Sequence, residues 1–336
     1  MNHVNACKYF LQKYTEALVI CAAMQYFGMQ ATGDDPTSNK PDETPESVAF
    51  HLGKLLEHYA IPSDDDIATQ PQRLQCPVDG CNKQYKTLNG LKRHLSTKHE
   101  PDTNLPAAQG QAKEGADQLF NYSRTALSLT LLAWDFNDAT SMGDGERVIR
   151  LYKYLLLLFK ATDKTKYAYH SLRLLAQVKC FLSERKAHEM IHNRFVNNRG
   201  GVTNNHPCDI EMEFHNRTTK EQCVGFRGKV TPASVKRVSE SSQRIEELMD
   251  HHDAVAGIRK PSGNNKPKNH EKDVHTLVSK LQSEEKGIFE VVPGRRHHAF
   301  PDFPSSPLAR LNHTDLSKWI TDTVNDLASK STFRNI

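Results

Sequence analysis

No stretch of this chain approaches the run of about 20 apolar residues that a membrane-spanning helix needs. The apolar runs 17–24 and 155–159 are far shorter, so no membrane partner is expected. No secretory leader is expected either. The patch at 17–24 has neither a basic region ahead of it nor a small-residue cleavage site soon after, and Lys8, Gln12, Lys13 and Glu16 instead leave an apolar stripe along a helix. Signatures of nucleophilic catalysis are absent: there is no G-x-S-x-G, and Cys180, with His170 and His188 its nearest histidines, reads as a core residue. The turn GDGER at 143–147 lacks the lysine and Ser/Thr of a phosphate-binding loop and follows no strand. Charge excess is small, 44 Lys and Arg against 40 Asp and Glu for a net +4, which argues against a chain that coats nucleic acid along its length. A disulfide framework is not expected either. Of seven cysteines, five (Cys7, Cys21, Cys180, Cys208, Cys223) are scattered and odd in number, as expected of reduced thiols.

What is present is a ligand spacing. Cys76 and Cys81, then a gap of twelve, then His94 and His99 spell C-x4-C-x12-H-x4-H, the order of two thiolates on a hairpin and two imidazoles on a helix that encloses Zn²⁺ tetrahedrally with no position left open. Tyr85 and Leu91 fall where the small core of such a unit lies. Residues 73–100 therefore resemble the Cys2His2 zinc-finger family, whose members are unfolded without metal. Between Cys76 and His99 stand Lys83, Lys86, Lys92, Arg93 and Lys98 against Asp79 alone, a face suited to phosphate contact or to a protein partner. Base reading is poorly served. Helix positions −1, 3 and 6 fall on Thr87, Gly90 and Arg93, of which only Arg93 has a strong partner, guanine. The expected partners are DNA or RNA, bound without sequence preference, or a protein, and the expected location is intracellular and nuclear.

Around the finger the pattern is helical. The expected fold is mainly α, a multi-helix bundle-like core with one inserted ββα finger and a partly disordered C-terminal tail. Residues 1–62 read as a helical pair: 4–28, with Phe10, Tyr14, Ala17, Leu18, Cys21 and Met24 on one face, then a helix capped by Thr44-Pro45 carrying Val48, Leu52, Leu55, Leu56 and Tyr59. After the finger, 101–117 reads as a linker and 118–256 as a helical domain with helices at 118–136, 146–160, 167–182, 183–195, 209–225 and 233–256. Residues 257–336 read as a flexible tail with short helices at 272–286 and 314–329. No alternating strands are expected outside the finger. Arg295, Arg296, His297 and His298 make a small basic cluster.

The densest remaining group of ligand-type residues is His206-Pro-Cys208-Asp209-Ile-Glu211-Met-Glu213-Phe-His215. Asp209 and Glu213, four apart, would share a helix face and could hold Mg²⁺. The plainer reading is an acidic first turn with Glu213 facing Arg217. The strings GDGER and CDIEMEFHNR, with the sequence between them, resemble domain of unknown function 6589, a family found in mobile-element-like genes of invertebrates and fungi. The resemblance covers about 118–250 and extends more faintly to the N-terminal helix region. Its members are often longer at the N-terminus, which implies a chain beginning partway through the domain. Descent from transposases would leave Asp209, Glu211 and Glu213 as the remnant of a metal-dependent nuclease site. The main expectation is a non-enzymatic, zinc-binding protein.

Overall fold

The computed structural model describes residues 2–61, 74–76, 78, 80–85, 88–99, 115–198, 200–226, 228–258, 270–282, 286–300 and 303–330. It is mainly helical, and its helices group into two compact units. One comprises Met1–Phe136, Ile149–Ser183 and Asn269–Ile336, the other Asn137–Val148 and Glu184–Lys268.

The first unit is built on α1 (Asn2–Phe27) and α2 (Pro45–Tyr59). Gly28 ends the first helix by taking φ +67°, and a side chain there would also overlap the Thr37 hydroxyl. Thr44 caps the second, its hydroxyl accepting from the Ser47 amide at 3.3 Å with Pro45 in the first turn. Ala17, Leu18, Cys21 and Met24 are buried as the stripe predicts, together with Leu55 and Tyr59. Phe10 is a correction: it is 57% exposed and stacks on Tyr14 at the rim of the core. Val48, Leu52 and Leu56 are likewise exposed, because α2 meets the core along Leu55 and Tyr59 only.

The core is completed by α4 (Gln118–Met142), which adds Leu119, Phe120 and Leu127. It runs one and a half turns past the expected end at 136, for nothing before Gly143 breaks it. The C-terminal segment also contributes to this core. Helix α10 (His270–Leu281) packs on α1 and buries Val274 and Val278, and the turn after it buries Ile288 and Phe289, the latter edge-on to Tyr59. Tyr9 donates to Asp273 at 2.7 Å across the same contact.

A second cluster joins α5 (Gly145–Ala161), α6 (Thr165–Ala176) and α11 (His313–Lys330) through Leu156, Ala168 and Leu172 against Trp319, Ile320 and Val324, with the Lys160 ammonium 4.2 Å over the Trp319 ring. Helix α6 stops short of the expected 182 in a π-turn at Gln177–Phe181. The extra residue in that turn rotates the side chains that follow, so Cys180 is exposed and not in the core.

The second unit holds α7 (Glu184–His192), a two-residue ladder of β3 (Phe195–Val196) with β4 (His206–Pro207) that the sequence pattern did not announce, and the pair α8 (Cys208–Val224) and α9 (Pro232–Val255). Thr231 and Ser234 form a reciprocal cap at the start of α9. The GDGER segment is a tight turn that caps α5. Gly143 takes φ +72°, and Asp144 Oδ1 accepts from the Arg147 amide at 3.0 Å to cap α5. Gly145 lies against the end of α7, where a β-carbon would overlap the Ile191 carbonyl oxygen. The obstacle is backbone, so Gly145→Ala is expected to cost about 1–3 kcal/mol, measured as a fall in the thermal midpoint. An unchanged midpoint would mean this approach is looser than described.

Candidate metal centre

The finger is a ββα unit. Strand β1 (Leu74–Gln75) pairs antiparallel with β2 (Gln84–Tyr85), and α3 (Leu88–Lys98) follows. Between the strands the Cys76 amide donates to the Lys83 carbonyl at 2.9 Å and the Cys81 amide to Val78 at 3.0 Å, which turns both thiols to one side. Five residues along an ideal helix rotate through about 500°, leaving His99 about 140° away from His94. Helix α3 ends at Lys98, and His99, in the bend beyond it, brings its Nε2 to 3.1 Å from His94 Nε2. Cys76 Sγ then lies 3.5 Å from His99 Nε2, and Cys81 Sγ 3.3 Å from His94 Nε2. All four ligand atoms fall within 4.8 Å of one another, a group that could hold a metal ion.

Packing around the group is thin. Cys76, Leu91 and Leu95 are its buried apolar residues, with Val78, Cys81 and Tyr85 against them, and the Tyr85 ring stacks on His94 at 4.9 Å. Tyr85 and Leu91 were foreseen. Leu95 was not, although its place four residues after Leu91 marks it. Burial pushes the Cys76 thiol up from its ordinary range, with the Cys81 thiol adding to the effect, and burial with the His99 ring holds His94 down. His94 is thereby favoured as the neutral imidazole that metals bind, and a metal has to displace the thiol protons.

Of the expected contact residues, Lys83, Arg93 and Lys98 are exposed. Lys86 and the Lys92 side chain lie outside the described residues.

The first turn of α8 is acidic as the plainer reading expects, holding Asp209 and Glu211, and a polar group is built on it. Glu211 is at its centre: its Oε2 lies 2.7 Å from His206 Nε2, its Oε1 lies 3.3 Å from His215 Nε2, and it accepts from Asn198 at 2.9 Å. The His206 hydrogen bond holds its carboxyl below the usual range. Asp209 and Glu213 are exposed, two residues either side of Glu211 and so on the far side of the helix. Arg217 pairs with Glu221 at 2.8 Å in place of Glu213. Among the described residues, the finger is the one group of three or more ligand-type residues close enough to share an ion. Cys208, His215 and Cys223 form no second one, and the Cys208 thiol donates to the Asn193 carbonyl.

Compared with known protein families, residues 3–264 match a family of unknown function, DUF6589. The chain belongs to this family. The match to DUF6589 runs well beyond 118–250 and includes α1, α2 and the finger; GDGER is its turn into α5, and CDIEMEFHNR opens α8. The chain is similar in part to zinc finger protein 609, over 51 residues at 37% identity for the protein of Homo sapiens and over 47 residues at 40% identity for that of Mus musculus. These matches cover 15% and 14% of this chain and 4% and 3% of those proteins, so the chain spans a small fraction of the relatives' length. No solved structure matches. Among the described residues, no helix is long and apolar enough to cross a membrane.

Proposed function

We propose that Cys76, Cys81, His94 and His99 hold one structural Zn²⁺, and that the finger so formed contacts nucleic-acid phosphates without reading sequence. The reading rests on the ligand distances. A tetrahedral ion with zinc's bond lengths, about 2.3 Å to sulfur and about 2.05 Å to nitrogen, spaces its ligands by about 3.5 Å for sulfur to nitrogen and about 3.3 Å for two nitrogens. The finger's separations of 3.5, 3.3 and 3.1 Å fit that figure. Two thiolates and two imidazoles are also zinc's preferred donor set, and four protein ligands leave no open position for catalysis. The name of the similar human and mouse proteins points the same way.

The contact face is Lys83, Arg93 and Lys98, with Lys86 and Lys92 adding sequence-level charge. In this reading the chain is a nuclear, mobile-element-derived binding protein and not an enzyme. Fluorescence anisotropy of the zinc-loaded chain with random duplex and single-stranded oligonucleotides tests it. With up to five cations engaged, log K is expected to fall against log salt with a slope of about −4 to −5, and chelation should abolish binding. No binding at low salt would transfer the face to a protein partner. Mg²⁺-dependent nicking of plasmid DNA by the wild type but not by Asp209→Ala would replace the reading with a nuclease.

A further inference from the structure

The finger leaves one metal-type pattern unused, His188-Glu189-Met190-Ile191-His192, an H-E-x-x-H string that the ligand spacings considered from sequence did not include. Its residues close α7. Ala187 and Ile191, four apart, are buried at 8% and 5% exposure and seat the helix on its unit. His188 and His192 each stand one residue further round, about 100° along the helix surface, and both are exposed. Their ring centroids are 4.2 Å apart at an interplanar angle of 50°. The finger supplies a comparison within the same molecule: the His94 and His99 rings, which belong to one ligand group, are 4.8 Å apart. The α7 pair is closer.

We propose that His188 and His192 chelate a divalent transition-metal ion of the imidazole-preferring class, such as Zn²⁺, as a second and surface-exposed metal site. Two histidines at i and i+4 on one helix face are the chelate from which H-E-x-x-H zinc sites are built. Here the chemistry stops at binding. The glutamate of that pattern serves as a general base in metallopeptidases, but Glu189 is tied by Arg185 Nε at 3.1 Å and half exposed. Among the described residues no third side chain joins the pair within ligand reach, so water fills the remaining positions and affinity is below that of the four-ligand finger.

The test is calorimetric titration of further Zn²⁺ into the full chain already holding one equivalent, at a pH above the imidazole range. A second, weaker equivalent is expected. It should be lost in His188→Ala and in His192→Ala and retained in His252→Ala, an exposed histidine of α9. Zinc analysis showing the first equivalent in every variant, with unchanged helicity, separates this site from the finger and from misfolding. Absence of a second equivalent in the wild type, or its survival in both α7 variants, overturns the proposal. Loss in His252→Ala also overturns it.

Discussion

Arg295→Ala is expected to lower the stability of the first unit by about 3–5 kcal/mol, the cost of stripping one partner from a buried ion pair. The Arg295 and Asp117 side chains are 12% and 2% exposed and meet at 2.8 Å. The guanidinium donates through Nε to both Asp117 oxygens at 3.1 Å, through one terminal nitrogen to the Lys286 and Gly287 carbonyls at 3.2 Å, and through the other to the Glu290 carbonyl at 2.7 Å. Asp117 also accepts from the Phe120 amide at 2.9 Å, capping α4, and from the Val292 amide at 2.7 Å. One arginine thus satisfies the carbonyls of a tight turn while neutralising a carboxylate that cannot reach water. Without it Asp117 stays buried and uncompensated. Arg295→Lys should recover little, because a point ammonium cannot reproduce the fork. The double variant Asp117→Asn, Arg295→Met should lie closer to wild type than the two single losses summed, since the stranded charge goes with its partner. Urea unfolding followed by helix ellipticity measures each of these variants. A loss below about 1 kcal/mol for Arg295→Ala would place the pair with exposed salt bridges, which contribute no more than that.

That arginine marks where sequence reading stops. In the string Arg295-Arg296-His297-His298 it looks like one of four surface cations. Its partner is 178 residues away, and no local pattern connects them. His297 is equally misleading, for it is buried at 7% exposure with its ring 4.4 Å from that of Tyr122. The same holds for α10. Val274 and Val278 make too short an apolar stripe to separate a docked helix from a solvated one, and only the uncovered face of α1 decides it. Local chemistry, by contrast, was legible wherever one residue type answers a backbone demand. Thr44-Pro45 and Thr231-Pro232 start helices because a hydroxyl and a proline fit the first turn, and Gly28 and Gly143 end them because φ turns positive. The four residues of the metal-type group were legible for a related reason: a tetrahedral ion would need all of them within one short segment. The α7 histidines had an equally local signal in their spacing of four. The π-turn after α6 had none, and with it went the placement of Cys180.

Cys76→Ser should remove the finger as a folded unit while the helical units stay intact. With the proposed ion bound, the metal would carry almost all of the finger's folding free energy. Structural zinc contributes about 10–16 kcal/mol of apparent binding in peptides of this type, whereas the finger's own core is Cys76, Leu91 and Leu95 with three half-buried neighbours. A core that small cannot offset the entropy of ordering the segment. The substitution removes a soft thiolate and opens the shell to water, so one equivalent of zinc is expected to disappear from the purified chain, together with the tetrahedral thiolate spectrum of its cobalt-substituted form. The helical signal should barely move, because α3 has 11 residues and, among the described residues, the two core clusters of the first unit's long helices contain no residue of it. Chelation of the wild type should reproduce both results and reverse on adding zinc back. Retention of metal by Cys76→Ser would show that three ligands suffice, and collapse of most of the helicity would show that the finger is part of the core and not an insertion into it.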